Sequence, residues 1–157
     1  MTSNLYRDIV IATDGSENTQ RAISYGIELA KLSGATVHAL HVVDISSTVS
    51  NNWTVGKKTI SEMMKSEGEN ILSEVKKIGK DSGVEVKEVL LEGHPVKEII
   101  YFAKNNNIDL IVMGTLGKSG LDRLLIGSVA EKVVRGSKVP VMVVRNENSK
   151  GSENAEA

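Results

Sequence analysis

Along this chain the spacing of apolar residues switches between two periods, five times over. Residues 8–13 (DIVIAT), 36–43, 108–113 and 139–144 are short, nearly unbroken apolar runs, as strands covered on both faces require. Residues 84–91 begin instead in alternation, Val84 and Val86 against Glu85 and Lys87, the pattern of a half-exposed strand. The segments between these runs have helical spacing. Ala22, Ile23, Ile27 and Ala30 stripe residues 17–33, and Ile60, Met63, Met64, Ile71, Leu72, Val75 and Ile78 stripe residues 59–82, the methionines as core filler. Val96, Ile99, Ile100 and Ala103 follow Pro95; Val129, Val133 and Val134 follow Ser128. Gly34, Gly83, the run Asn105-Asn106-Asn107 and Gly136 stop the four helices in turn, and Pro95 suits a first helical position. Ser16 stands where it can cap the first helix, and Ser128-Val129-Ala130-Glu131 reads as a capping box that starts the last helix at Ser128.

Strand and helix in alternation specify an α/β fold, a three-layer open sheet of five parallel strands with helices on both faces. Pro140 cannot donate to a ladder, so the last strand belongs at one edge, and the half-exposed third strand belongs at the other. The order 3-2-1-4-5 satisfies both. In that Rossmann-like order the winding reverses between strands one and four, and ligands of open α/β sheets bind outside the carboxyl ends of the strands there. Strand one ends at Thr13-Asp14 and strand four at Met113-Gly114, so these pairs meet at one crevice. Residues 1–145 read as one nucleotide-binding domain and residues 146–157, small and polar, as a disordered tail. The polar stretch 44–58 reads as a long loop, with Trp53 either tacking it onto the body or serving in a lid over a ligand.

The crevice carries a glycine pattern of its own. Gly114, Gly117 and Gly127 are spaced G-x2-G-x9-G, and Ser128 follows at once. Glycine lets main-chain N–H groups approach an anion, and a helix start adds unpaired N–H donors with partial positive charge, so the segment suits the phosphates of a nucleotide. Spacing alone would also serve as turn punctuation. Gly117-Lys118-Ser119 is not the end of a P-loop, because Val112 stands where that motif needs glycine, and no G-x-G-x-x-G follows strand one.

Composition narrows the field of ligands. A formal net charge of −1 and 3% aromatic residues argue against nucleic acid and anionic membrane as partners. The absence of cysteine excludes disulfides, thiolate zinc sites and cysteine nucleophiles; with an N-terminal apolar run too short for a signal or a span, it leads us to expect a cytoplasmic protein. His38, His41 and His94 lack metal spacing; His38 and His41, three apart on strand two, face opposite sides and read as structural or surface residues.

These residues resemble the universal stress protein family in its ATP-binding form, over nearly the whole chain from Tyr6 to Val144. The resemblance rests on Thr13-Asp14-Gly15-Ser16, His41-Val42-Val43-Asp44, Gly93-His94-Pro95, Met113-Gly114-Thr115-Leu116-Gly117 and Leu125-Ile126-Gly127-Ser128-Val129-Ala130, with the G-x2-G-x9-G-S spacing complete. It implies that Ala12, Thr13 and Asp14 line the site, with Asp14 close to the ribose, that Val42 meets the adenine through its backbone, and that Met113 and Gly114 sit by the nucleoside. It implies further that Gly117, Gly127, Ser128, Val129 and Ala130 surround the phosphates, Ala130 replacing a hydroxyl residue of some relatives. ATP is the implied ligand, with a magnesium or manganese ion held through its phosphates. Lys118, Arg123 and Lys132 are near enough in sequence to offset phosphate charge but read as solvated surface. A homodimer is implied too, by antiparallel pairing of the last strand through Val139, Val141 and Val143.

The function so implied is that of a nucleotide-dependent regulatory or stress-survival protein with little or no catalysis, acting through unknown protein partners. Slow ATP hydrolysis and an interaction module with a vestigial nucleotide site stand as alternatives. The loops hold no nucleophile beside a histidine and no paired acid and base, and Asp14-Gly15-Ser16-Glu17 does not reproduce the glycine-serine turn of adenylating enzymes of this fold type.

Overall fold

The computed structural model describes residues 5–44, 54–115 and 126–146, with residues 54–59 as backbone alone. The sheet runs through Asp8–Ala12 (β1), Thr36–Val43 (β2), Val86–Glu92 (β3), Leu110–Gly114 (β4) and Val141–Val144 (β5). Every neighbouring pair is parallel, and the order is β3-β2-β1-β4-β5, as expected from the two edge strands. Among the described residues the helices are Gln20–Ser33 (α1), Thr54–Asp81 (α2), Pro95–Asn105 (α3) and Ser128–Gly136 (α4).

β1 and β4 hold the middle because both of their faces are apolar: Ile9, Val10, Ile11, Ile111 and Val112 are fully buried. Alternation then divides them between two cores. Ile9 and Ile11 pack with Ile23 and Ile27 of α1 and Leu72 and Val75 of α2, whereas Val10 and Ile111 pack with Ile99 and Ala103 of α3 and Ala130 and Val133 of α4. Each of the isoleucine, leucine and valine side chains contributes about 1.5–3 kcal/mol by leaving water. Both sheet faces are thus covered, and the open ends of the strands are what remains for a ligand.

Several boundaries differ from the sequence expectation, for local reasons. β1 ends at Ala12 rather than Thr13, and the first helix opens with a 3-10 turn, Glu17–Thr19. Ser16 makes no side-chain cap bond there; its N–H donates instead to Asp14 Oδ1. Gly34 does end α1, at φ 77°, a left-handed conformation that a Cβ disfavours. α2 begins at Thr54, so the expected loop 44–58 is shorter than read; its residues 45–53, Trp53 included, lie outside the described residues. The buried stripe of α2 is Gly68, Leu72, Val75 and Gly79, while Met63 is 67% exposed and not core filler. Val134 likewise points outward from α4, whose buried residues are Ala130 and Val133. β3, β4 and β5 each start two residues later than their apolar runs. Pro140, just before β5, has its carbonyl accepting the Ile111 N–H, which puts the strand at the edge where its missing donor costs nothing.

Candidate functional site

Beyond the carboxyl ends of β1, β2 and β4 lies a cavity of about 340 Å3, bounded also by the first residues of α3 and α4. That is within the size of small-molecule sites, roughly 300–1,000 Å3. It opens where the winding reverses, since α1 after β1 packs on one face and α4 after β4 on the other. Ala12, Leu40, Ile99 and Met113 give it apolar walls.

The turn after β1 is held by its own polar groups. Thr13 N–H donates to the Leu40 carbonyl at 3.0 Å, and the Thr13 carbonyl accepts from His41 Nδ1 at 2.9 Å. Thr13 Oγ1 accepts from Gly15 N–H at 3.1 Å and lies 2.9 Å from Thr19 Oγ1. Because the Thr19 hydroxyl donates to the Ser16 carbonyl, the proton between the two hydroxyls belongs to Thr13. Both threonines are buried, where each bond is electrostatically stronger than in water. Asp14 Oδ1 accepts the Ser16 N–H at 2.9 Å, an Asx turn, while the Ser16 hydroxyl is buried without a partner among the described residues. Asp14 lines the cavity, and its Oδ2 has no hydrogen bond among the described residues.

At the end of β2 the main chain is left open. Main-chain groups of a parallel strand point to alternate neighbours. Thr36 N–H and the Leu40 carbonyl bond toward β1, to Arg7 and Thr13, whereas Val37 N–H and the Val43 carbonyl bond toward β3, to Glu85 and Gly93. Val42 therefore turns its N–H and C=O toward β1. Pairing of β1 with β2 has already ended at Ala12 and Leu40, so both groups face the cavity without a main-chain partner among the described residues.

The start of α4 is left open in the same way. Thr115 N–H bonds the Val144 carbonyl and Gly127 N–H bonds the Thr115 carbonyl, which anchors Gly127 against the end of β4. Gly127 is the N-cap and Ser128 the first helical residue, so the expected capping box is not formed. Glu131 N–H reaches the Gly127 carbonyl at 2.9 Å, and the N–H groups of Ser128, Val129 and Ala130 have no acceptor within the helix. All three residues line the cavity. Ala130 is buried and Val129 half-buried in the core, so what these two offer a ligand is main chain. Ser128 is exposed, and its hydroxyl has no hydrogen bond among the described residues. Among the described residues that line the cavity Asp14 is the one charged side chain, and among the described residues no cluster of three His, Cys, Asp or Glu could hold a metal ion.

A family model described as the universal stress protein family matches residues 5–145. The chain belongs to the universal stress protein family. It is 46% identical over 142 residues to universal stress protein MJ0531 of Methanocaldococcus jannaschii, covering 90% of this chain and 84% of that one. The solved structure of MJ0577, from the same organism, superposes with a TM-score of 0.80 at 32% identity, covering 92% of this chain and 99% of that one. A universal stress protein of Archaeoglobus fulgidus in complex with dAMP gives 0.68 at 26% identity, covering 90% and 99%. A universal stress protein in complex with cAMP gives 0.67 at 26% identity, covering 89% and 97%.

For a universal stress protein chain, most of the residues expected at the site do gather there. Ala12, Thr13, Asp14, Val42, Met113, Gly114, Gly127, Ser128, Val129 and Ala130 all line the one cavity. Gly117 lies outside the described residues, as do Lys118 and Arg123, and Lys132 is exposed on α4. His41, Thr19 and Pro95 line the cavity too and were not expected to. Pro95 could have been placed there by its position after strand three; for His41 and Thr19 the sequence holds no signal, because their roles depend on what Thr13 does with its own groups.

Proposed function

We propose that this universal stress protein binds ATP in the crevice and acts as a nucleotide-dependent regulatory protein with little or no catalysis. The observation that carries the reading is a pair of main-chain sets, open among the described residues, that line one cavity: Val42 at the end of β2 and the first turn of α4. A strand N–H beside a C=O matches adenine, whose N1 accepts and whose amino group donates; guanine presents the opposite pair. Phosphates suit the N–H groups of Ser128, Val129 and Ala130 and the Ser128 hydroxyl, with Gly127 giving room and Gly117 completing the loop. Ala12, Thr13, Asp14, Met113 and Gly114 would enclose the nucleoside, with Asp14 Oδ2 toward the ribose. The complexes of relatives with cAMP and dAMP support an adenine nucleotide. A magnesium or manganese ion fits this donor set only through the phosphates, since Asp14 is the single carboxylate that lines the described cavity.

Residues 1–145 would act as one domain. The β5 edge, half-buried at Val139, Val141 and Val143, would pair with its copy in a homodimer. Among the described residues no helix is long and apolar enough to cross a membrane.

The test is the nucleotide that the purified protein carries. Denaturation followed by chromatography should release ATP, and calorimetric titration of the stripped protein should show ATP binding. Released ADP with measurable turnover would favour slow hydrolysis. No released nucleotide, with no thermal shift on adding ATP, would defeat the reading in favour of an interaction module.

A further inference from the structure

We propose that His41 is a positioning residue: its imidazole takes the Thr13 carbonyl out of the β1–β2 ladder and so keeps the Val42 N–H open to a ligand. The last rung between these strands is Thr13 N–H to the Leu40 carbonyl at 3.0 Å. Continued in the same register, the next rung would join Val42 N–H to the Thr13 carbonyl. That rung is not made. The Thr13 carbonyl accepts instead from His41 Nδ1 at 2.9 Å, and since a carbonyl can only accept, Nδ1 carries the proton. A side-chain donor from the residue just before Val42 thus replaces the main-chain donor of Val42 itself.

The surroundings fix the ring in this position. Thr13 cannot turn its carbonyl away, because its N–H and hydroxyl are already engaged with Leu40, Gly15 and Thr19. On the other side α2 makes room for the imidazole with Gly68, where a Cβ would come within 2.9 Å of His41 Cδ2 and 2.7 Å of Leu90 Cδ1. His41 lines the cavity beside Val42 but acts through it, by ending the ladder one rung early. The ligand half of this inference rests on the nucleotide reading above; the ladder half does not.

Amide exchange in ligand-free protein, read residue by residue by NMR, tests the ladder half. In the wild type Val42 N–H exchanges faster than its ladder neighbours. His41→Leu, which removes the donor and keeps bulk, slows Val42 exchange by about tenfold as the missing rung closes. His41→Asn, with an amide donor in place of Nδ1, returns the fast exchange, and Gly68→Ala, which displaces the ring, behaves like His41→Leu. Protection of Val42 in the wild type, which needs no variant, overturns the proposal; so does unchanged exchange in His41→Leu. Titration with ATP and with its 1-deaza analogue, which lacks the N1 acceptor, tests the ligand half. The wild type prefers ATP by about tenfold and His41→Leu by less than about twofold. Equal affinity for both compounds in a wild type that binds ATP overturns that half. If the wild type binds neither, the nucleotide reading fails, and the exchange result alone still decides the role of His41.

Discussion

Two turns that line the cavity, the one after β1 and the one that opens α4, are built on opposite principles. In the turn after β1, Thr13, Gly15, Ser16 and Thr19 bond one another and the end of β2, and among the described residues Asp14 Oδ2 and the buried Ser16 hydroxyl are side-chain groups without a partner. At the start of α4 the first-turn N–H groups and the Ser128 hydroxyl have no partner among the described residues. A buried polar group without a partner costs about 1–3 kcal/mol, a cost the Ser16 hydroxyl bears inside its turn, whereas the open groups of α4 line the cavity, where water or a ligand reaches them. Asp14 Oδ2 apart, the first turn is therefore scaffold and the second is receptor, and substitutions on the two sides should separate stability from affinity.

The largest effect is expected at Gly127. Its φ of −56° and ψ of 154° lie in a region open to any residue, so Gly127→Val keeps the backbone and puts branched methyls at the mouth of the cavity. ATP affinity should fall by at least about 100-fold, roughly 2.8 kcal/mol, with stability changed by about 1 kcal/mol or less. Calorimetry and thermal melting on the same preparation check it; ATP affinity within tenfold of the wild type would break the comparison on the receptor side. The next effect belongs to the scaffold. Thr13→Val keeps the shape and deletes the hydroxyl that joins Gly15 to Thr19, so about 2 kcal/mol of stability should be lost in urea unfolding, with the slope unchanged. A stable Thr13→Val with ATP binding abolished would mean that the threonine belongs to the receptor.

The dimer expected through β5 bears on the same contrast at the scale of the sheet. β3, at one edge, begins Val86-Lys87-Glu88, with both charged residues exposed; β5, at the other, reads Val-Met-Val-Val with three of its residues half-buried. Charges protect an edge from pairing, and their absence invites it. Val141→Asp should therefore give a monomer in gel filtration, and an unchanged dimer would place the interface elsewhere.

Periodicity made the framework legible. Two edge strands, one alternating and one carrying Pro140, were enough to set the strand order, and the order brought Thr13-Asp14 beside Met113-Gly114. The glycine spacing pointed to the same crevice, and the cavity is lined by Gly114 and Gly127. What periodicity could not show was competition for hydrogen bonds. Ser16 looked like a cap, but its hydroxyl is buried and bonds no N–H of the helix start. His41 looked structural, yet its partner is a carbonyl that the ladder would otherwise use. Met63 sat on an apolar stripe, but close approach of α2 to the sheet is made at Gly68 and Gly79, which hydrophobicity does not mark. The Ser16 bond is made within one short turn, the His41 bond to a residue 28 positions away, and the α2 contact is hidden by the smallness of glycine.

Ser128 is where the two readings of a single residue differ least in size and most in kind. Read as a capping residue, its hydroxyl would bond a helix N–H with or without ligand, and Ser128→Ala would cost about 0.5–2 kcal/mol of stability. In the structure Gly127 occupies the cap and Ser128 is already helical, with its hydroxyl exposed at the cavity. Alanine is the best helix former, so Ser128→Ala should leave unfolding within about 0.5 kcal/mol of the wild type or raise it slightly. Its effect should fall on ATP instead, as a loss of about three- to tenfold, the worth of one hydrogen bond to a charged oxygen that the main-chain donors do not replace. Paired melts and titrations distinguish the cases. A drop in stability with affinity intact would return Ser128 to the helix; a loss of affinity at full stability keeps it with the receptor side, where the free donors of α4 stand.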